Sequence, residues 1–113
     1  MANIISKNKV QPHVDPCGLL RELYSSRNIS IAHDTVIGEA RPHMHNVMEE
    51  VYYVTKGRGE VVIGEEVFSI RKGDTIPIPK DTWHYLKPMQ NNPLEVLVIT
   101  HPKYDPNDLI LKE

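Results

Sequence analysis

Short β-type segments follow one another from residue 29 to residue 100, with turn residues between them. No stretch there has the length and period of a helix of about ten residues. Residues 29–37 alternate as a strand does, which would place Ile29, Ile31 and His33 on one face. Short strands at spacings of about eight to twelve residues are typical of a sandwich or a barrel. The sequence therefore predicts an all-β fold.

Two of these segments allow local predictions. Residues 60–63 and 66–70 flank the pair Gly64-Glu65, and a glycine in the first position is what a type II′ hairpin turn prefers. Residues 75–79 contain two prolines, which cannot donate to a ladder of backbone hydrogen bonds. We therefore expect a tight hairpin over residues 60–70 and an edge position or a bulge for residues 75–79.

The chain has 113 residues, enough for one domain with one core. We expect the barrel over residues 29–101. Residues 1–28 fit either a helical turn near Leu20 or an extended arm, and we favour an arm that contributes to a homodimer, because a small barrel leaves edge strands exposed. Residues 102–113 are expected to form a turn-rich tail that closes with a short strand or helical turn at residues 109–111.

The charge and cysteine content limit the kinds of binding partner and the cellular compartment that we expect. Thirteen basic and fifteen acidic residues give a formal net charge of -2, and no basic run is present. This argues against an electrostatic surface for nucleic acid or membrane. The single cysteine, Cys17, has no internal partner for a disulfide, and the first residues lack the order of a signal peptide. The expectation is a cytoplasmic protein that binds neither nucleic acid nor a membrane.

Two histidines one residue apart, His43 and His45, are the strongest chemical signal. On a strand they point to the same side and can share one metal ion. Glu49 would share their face on an unbroken strand, whereas Glu50 would need a bend through residues 46–48. Spacing alone leaves this choice open. Imidazole and carboxylate together suit several transition metals.

Two motifs that begin with glycine contain the histidines. The first runs from Gly38 through the His-x-His pair and Glu50 to Gly57, and the second runs from Gly73 through Pro79 to His84. With these motifs, residues 28 to 101 resemble a small single-domain cupin. The chain departs from the family pattern at three positions, all in turns: a gap of four residues after Gly38, Asp81 in place of a glycine and Pro88 in place of an asparagine.

The resemblance implies a cupin-type double-stranded β-helix, or jelly-roll barrel, and it selects Glu50 over Glu49. The implied ligands of one divalent transition metal ion (Fe, Mn, Ni, Cu or Zn) are His43, His45, Glu50 and His84. In this arrangement we expect His84 to arrive from a strand across the interior. Iron or copper would imply dioxygen-dependent oxidation, and manganese, nickel or zinc would imply isomerase, lyase or decarboxylase chemistry.

Side-chain parity suggests further site residues. Tyr52 follows Glu50 into the interior, and either residue is a candidate to move a proton as a catalytic group. Leu86, two positions after the metal-ligating histidine of the second motif, is a candidate substrate-binding residue.

Arg41 and His33 are also candidates for substrate binding. Arg41 precedes the His-x-His pair by two positions, so an extended strand would bring its guanidinium to the cavity, where it could hold a carboxylate. The alternatives are a solvated Arg41 at the rim and a His33 that is satisfied within the core.

These features predict a metalloenzyme that acts on a small polar or anionic molecule. The alternative is a non-catalytic, metal-dependent module that binds or senses a small ligand. A metal-free sugar isomerase or epimerase is less favoured, because such relatives often lack the full set of metal ligands.

Overall fold

A computed structural model describes residues 3–89 and 92–113. Within these ranges the chain forms eleven strands and two short 3-10 turns, Lys7–Lys9 and Pro106–Asp108. The strands are β1 (His13–Val14), β2 (Leu19–Ser25), β3 (Ser30–Val36), β4 (His43–Met44), β5 (Glu49–Lys56), β6 (Arg58–Ile63), β7 (Glu66–Arg71), β8 (Thr75–Ile78), β9 (His84–Pro88), β10 (Leu94–His101) and β11 (Ile110–Leu111). The predicted all-β class is confirmed.

The strands form two antiparallel sheets. The six-stranded sheet has the order β1-β2-β3-β10-β5-β8, and the five-stranded sheet has the order β11-β4-β9-β6-β7. Fully buried Val54 and Val96 of the first sheet meet Val61 and Leu86 of the second in one core cluster, so the sheets pack face to face. Each such side chain contributes about 1.5 to 3 kcal/mol through burial. This is the predicted jelly-roll barrel.

Two local predictions are confirmed. Strands β6 and β7 pair with Ile63 opposite Glu66, and Gly64 has a φ of 62° in the two-residue turn between them. Strand β8, which carries Pro77, lies at the edge of the six-stranded sheet. Its proline therefore interrupts no ladder on the open side.

The face of strand β3 that points into the barrel is not the face that carries His33. The interior residues are Ser30, Ala32, Asp34 and Val36, all buried. The alternating isoleucines of this segment lie on the outer side of the sheet. Because the face with Asp34 points inward, the carboxyl group of Asp34 lies inside the barrel.

The N-terminal residues are more integrated than an arm. Strand β2 pairs along β3 and thereby joins the six-stranded sheet, and it forms a small hairpin with β1. The hairpin turn rests on β3: a Cβ on Gly18 would lie 2.1 Å from the carbonyl oxygen of Thr35, so only glycine fits there. The turn residues Asp15 and Cys17 are thus held against the interior end of β3.

The C-terminal tail folds back over the barrel. Strand β11 pairs with β4, in agreement with the short strand or turn expected at residues 109–111. The 3-10 turn before it places Asp108 in a buried position. No helix in the described part of the chain has the length and apolar character needed to cross a membrane.

Candidate metal centre

The structure brings the four predicted metal ligands together. His43 lies in β4, His45 follows it, Glu50 lies in β5 and His84 begins β9, and their exposed fractions are 3%, 3%, 5% and 1%. His43 and His84 are direct partners in the five-stranded sheet, whereas Glu50 comes from the six-stranded sheet. Glu50, and not the expected His84, therefore reaches across the interior to the histidine pair.

The distances within this cluster suit one ion. A ligand atom from each of the four residues lies within 4.8 Å of the others, and the Glu50 Oε1 is 3.1 Å from the His84 Nε2. Two ligand atoms at about 2.1 Å from one ion are separated by at most about 4.2 Å. The four ligand atoms would therefore need to move only slightly closer together to bind one ion. The Nε2 of His45 is buried without a hydrogen-bond partner among the described residues. A metal ion would satisfy this nitrogen.

The outer nitrogen of each histidine ring is fixed by a backbone carbonyl. Each Nδ1 donates a hydrogen bond to a carbonyl oxygen: His43 to Arg41 at 2.9 Å, His45 to Asp108 at 2.8 Å and His84 to Thr82 at 2.9 Å. These bonds select the tautomer that presents the Nε2 lone pair inward. The donor set therefore fits a transition metal ion bound by three imidazoles and one carboxylate.

The bend that Glu50 needs is held by Asp108. The Asp108 carboxylate accepts hydrogen bonds from the backbone N–H groups of Asn46, Val47 and Met48 at 2.8 to 3.1 Å. These three residues are the break between the histidine pair and β5. The bend turns Glu50 inward and leaves Glu49 exposed.

Electrostatics favour the metal-binding forms of Glu50 and His43, whereas for His45 burial is outweighed by the neighbouring Glu50, which raises the pKa. Burial would raise the pKa of Glu50, but the contact with the Nε2 of His84 at 3.1 Å and the positive charge that His45 and His84 carry when protonated outweigh it and hold this pKa well below its usual range. Burial lowers the pKa of His43 to about 4, and the nearby His84 adds to the effect. The carboxylate is thus ionised and this imidazole neutral, which are the states that bind metal ions.

A cavity of about 40 Å³ adjoins the cluster. This volume has room for about three water-sized groups. His43, His45 and Glu50 line it, together with Tyr52, Tyr104 and Asp34. No lysine or arginine is among its lining residues in the described part of the chain. The cavity therefore offers carboxyl groups, phenols and open positions of a metal ion.

Tyr52, predicted as a catalytic group, lies at this cavity with an exposed fraction of 1%. Arg41 does not. Its side chain is exposed, and its Nη2 donates to the Lys112 carbonyl oxygen at 3.3 Å. The reason is that β4 begins only at His43, so strand parity does not extend back to Arg41.

The two other predicted substrate-binding residues also lie away from the cavity. His33 is on the outer side of β3, where its Nε2 is 3.0 Å from Glu95 Oε1. Leu86 has an exposed fraction of 0% and packs in the core cluster next to Val61, its partner across the sheet. His33 is buried, as the alternative expected, but it lies outside the core cluster, and its Nδ1 has no hydrogen-bond partner among the described residues.

Three residues at or beside the site were missed by sequence reasoning. Asp34 had a local signal, since it is an ionisable residue on an otherwise apolar and hydroxylated strand face. Tyr104, whose ring centroid is 6.4 Å from that of His45, and Asp108 had none, because both depend on the tail folding back.

These features define a jelly-roll barrel with a His/Glu cluster inside it. Residues 33–100 match the family model described as a cupin domain. The match covers more than half of the chain, and this protein belongs to the cupin family.

Three similar proteins match this chain over nearly their whole length. An uncharacterized protein of Methanocaldococcus jannaschii is 33% identical over 114 residues, which cover 94% of this chain and 91% of that protein. A protein from Planctomyces limnophilus superposes with a TM-score of 0.87 at 21% identity, over 97% of this chain and 96% of that one. The nucleoside dehydratase Pac13 of Streptomyces superposes with a TM-score of 0.86 at 13% identity, over 100% and 92% of the two chains. The two solved structures establish a shared fold alone.

Proposed function

We propose that this protein is a metal-dependent cupin enzyme that binds a small, neutral, hydroxylated molecule and carries out lyase or isomerase chemistry on it. The observation that carries the proposal is the buried His/Glu cluster beside a cavity lined by carboxyl and phenol groups. The metal ion is one of Fe, Mn, Ni, Cu or Zn, and the chemistry proposed here needs no redox-active member of that set.

Charge favours a neutral ligand over an anion. Among the described residues, four carboxyl groups line the cavity, from Asp15, Glu22, Asp34 and Glu50. Asp34 keeps its proton at neutral pH, and the other three are set against the two positive charges of one divalent ion. An anionic substrate would add a negative charge that no lining lysine or arginine of the described chain balances, and uncompensated charge is costly in a buried site. Arg41, on which the prediction of an anionic ligand rested, lies outside the cavity.

The bound ion would supply Lewis-acid polarisation of a substrate oxygen. The residues around the ion would accept and donate the protons that the reaction moves. The ionised carboxylate of Glu50 accepts hydrogen bonds, while burial and the charge of Glu50 raise the pKa of Tyr52 well above its usual value, so the phenol keeps its proton. Burial and the charge of Asp15 likewise raise the pKa of Asp34 to about 9. Tyr52 and Asp34 therefore hold their protons at neutral pH and can donate a hydrogen bond to a substrate oxygen, from which a proton can pass as water leaves or a proton shifts.

Uridine is the first probe to use. The similar fold of a nucleoside dehydratase, whose variants have been crystallised with uridine, supports this choice. The small volume of the cavity indicates that only the reacting end of such a molecule would enter it.

The test compares neutral and anionic ligands on the metal-loaded protein. With Zn²⁺ bound, we expect at least one of uridine, glucose and myo-inositol to raise the melting temperature more than gluconate or glucuronate does. The rise should vanish in His84→Ala. Larger stabilisation by the carboxylates, or an equal effect on chelator-treated protein, would contradict the neutral-ligand proposal.

Turnover is followed by proton NMR in D₂O with the ligand that stabilises the protein. We expect Tyr52→Phe to retain stabilisation but to slow product formation or deuterium exchange about 100-fold, the usual contribution of a positioned proton donor. Tyr53→Phe is the matched control, because Tyr53 lies on the outer face and is 39% exposed. Binding without turnover would support the non-catalytic alternative, and consumption of dioxygen would contradict the proposed reaction class.

A homodimer that packs through the outer face of the six-stranded sheet also belongs to this proposal. Leu97 lies opposite Tyr53, and Ile99 lies opposite Ile31, which in turn lies opposite Tyr24. Residues opposite one another share a face, so these five form an apolar surface, with Tyr24 52% exposed. A second copy of the chain would cover it.

Light scattering tests this assembly. We expect a mass of twice 12.9 kDa at micromolar concentration and a monomer for Tyr53→Glu. Val67→Glu is the control, because Val67 is 56% exposed on strand β7 of the other sheet, and it should remain dimeric. A monomeric wild-type protein would refute the dimer.

The cytoplasmic location and the absence of a nucleic-acid partner stay predictions. They rest on the net charge of -2, on the absence of a basic run and on the single cysteine.

A further inference from the structure

A second group of potential metal ligands lines the same cavity. Asp15, Cys17 and Asp34 each place one ligand-type atom within 4.8 Å of the others. This group shares no residue with the His/Glu cluster. Both groups border the cavity described above.

Asp34 is the member that most needs a partner. Its exposed fraction is 1%, and neither of its carboxyl oxygens has a hydrogen-bond partner among the described residues. Buried polar groups in folded proteins are nearly always paired, and an unpaired buried carboxyl group is costly. The side chains beside it include the carboxyl of Asp15 and the thiol of Cys17, neither of which is cationic. A bound cation would supply the missing partner.

The other two ligands are held in place by the N-terminal hairpin turn. The Oδ1 of Asp15 accepts the backbone N–H groups of Cys17 at 3.0 Å and of Gly18 at 2.8 Å. The backbone N–H of Arg41 donates to the carbonyl oxygen of Pro16 at 3.2 Å. These bonds leave the Oδ2 of Asp15 and the Sγ of Cys17 available on a turn that is already ordered, which lowers the entropic cost of binding.

We propose that Asp15, Cys17 and Asp34 form a second site for a divalent cation that accepts thiolate and carboxylate ligands, such as Zn²⁺ or Co²⁺. Two carboxylates and a thiolate make an anionic, mixed oxygen and sulfur donor set of the kind these ions accept. The fourth position would face the cavity. An ion there would share the cavity with the ion of the His/Glu cluster. With this second ion bound, Asp34 would be a ligand and no longer a proton donor, and Tyr52 would keep that role.

The protonation states agree with this assignment. Burial, with the charges of Asp34 and Asp15, raises the pKa of Cys17 well above its usual value. Burial and Asp15 raise the pKa of Asp34 to about 9. Both groups thus hold protons when no cation is bound, and the cation would replace those protons.

Cobalt titration of the chelator-treated protein tests the second site. Cys17 is the only cysteine, so a thiolate-to-cobalt charge-transfer band in the near ultraviolet reports this site alone. We expect two Co²⁺ ions per wild-type chain together with this band. In Cys17→Ser the band should disappear and one ion should remain. In Asp34→Asn the affinity associated with the band should fall at least tenfold.

Three controls make the outcome decisive. Circular dichroism melting verifies that each variant is folded, and Glu39→Gln, at an exposed carboxylate, should leave the band unchanged. His45→Ala should lose one ion yet keep the band, so failure of the His/Glu cluster is distinguished from failure of this site. A wild-type protein with one ion and no charge-transfer band would overturn the proposal, as would a band of unchanged affinity in Asp34→Asn.

Discussion

Replacing His45 with alanine is expected to abolish binding of a divalent ion at the His/Glu cluster. Its Nε2 is a buried ligand atom with no hydrogen-bond partner among the described residues, and without it the ion would lack one of its four protein ligands. At a free ion concentration about 100 times the dissociation constant, binding stabilises the fold by about 2.7 kcal/mol. The variant should lose this stabilisation and the stoichiometric ion.

Metal content and melting temperature are measured with and without the ion, in a Cys17→Ser background so that only the His/Glu cluster is counted. The control is His13→Ala, which alters an exposed histidine of β1. A second pair of variants distinguishes Glu50 from its neighbour Glu49. Glu50→Gln should lose the ion, and Glu49→Gln, at an exposed position, should keep it. Unchanged metal content in His45→Ala, or loss of the ion in Glu49→Gln alone, would contradict the ligand assignment.

Replacing Asp108 with alanine is expected to lower the free energy of unfolding by about 3 kcal/mol, because three backbone N–H groups in the bend lose a charged acceptor. Burial would raise the pKa of Asp108, but these N–H donors outweigh it and hold the pKa below its usual value, so the group is ionised at neutral pH. Since the bend aims Glu50, metal affinity should also fall about 10- to 100-fold, as when supporting partners of metal ligands are removed.

Urea unfolding and metal titration measure the two effects. Asp108→Asn keeps an oxygen acceptor without the charge and should give intermediate values. Asp105→Ala is the matched control in the same tail, because Asp105 is exposed and its side chain accepts, among the described residues, the N–H of Asn107 alone. It should cost about 1 kcal/mol, the usual value for an N-cap, and leave metal affinity intact. Equal effects of Asp108→Ala and Asp105→Ala would contradict the role given to Asp108.

The barrel was predictable because its strands carry their own signals. Alternating apolar residues, the Gly64 turn and the two prolines of residues 75–79 each act over a few residues. Strand β2 was harder to predict, since a register shift between Glu22 and Tyr24 breaks the two-residue alternation. Leu20, Leu23 and Tyr24 consequently have a spacing that also fits a helical turn.

The same distinction between local signals and distant contacts applies to the residues of the site. The three histidines follow from short motifs, but the choice between Glu49 and Glu50 needed the family resemblance, because the bend depends on Asp108, about sixty positions away. Arg41 was misplaced since β4 is only two residues long. The face of β3 that turns inward is set by packing against other strands, so the local signal of Asp34 did not show by itself that this residue faces the site.

The central claim is that His43, His45, Glu50 and His84 hold one divalent transition metal ion. The most direct test is an anomalous difference map from crystals of the Cys17→Ser protein grown with Zn²⁺, recorded on both sides of the zinc absorption edge. We predict one peak among these residues, about 2.0 to 2.2 Å from each histidine Nε2 and from an oxygen of Glu50. A map with no peak there, or with zinc bound by Glu49 while Glu50 faces away, would contradict the account.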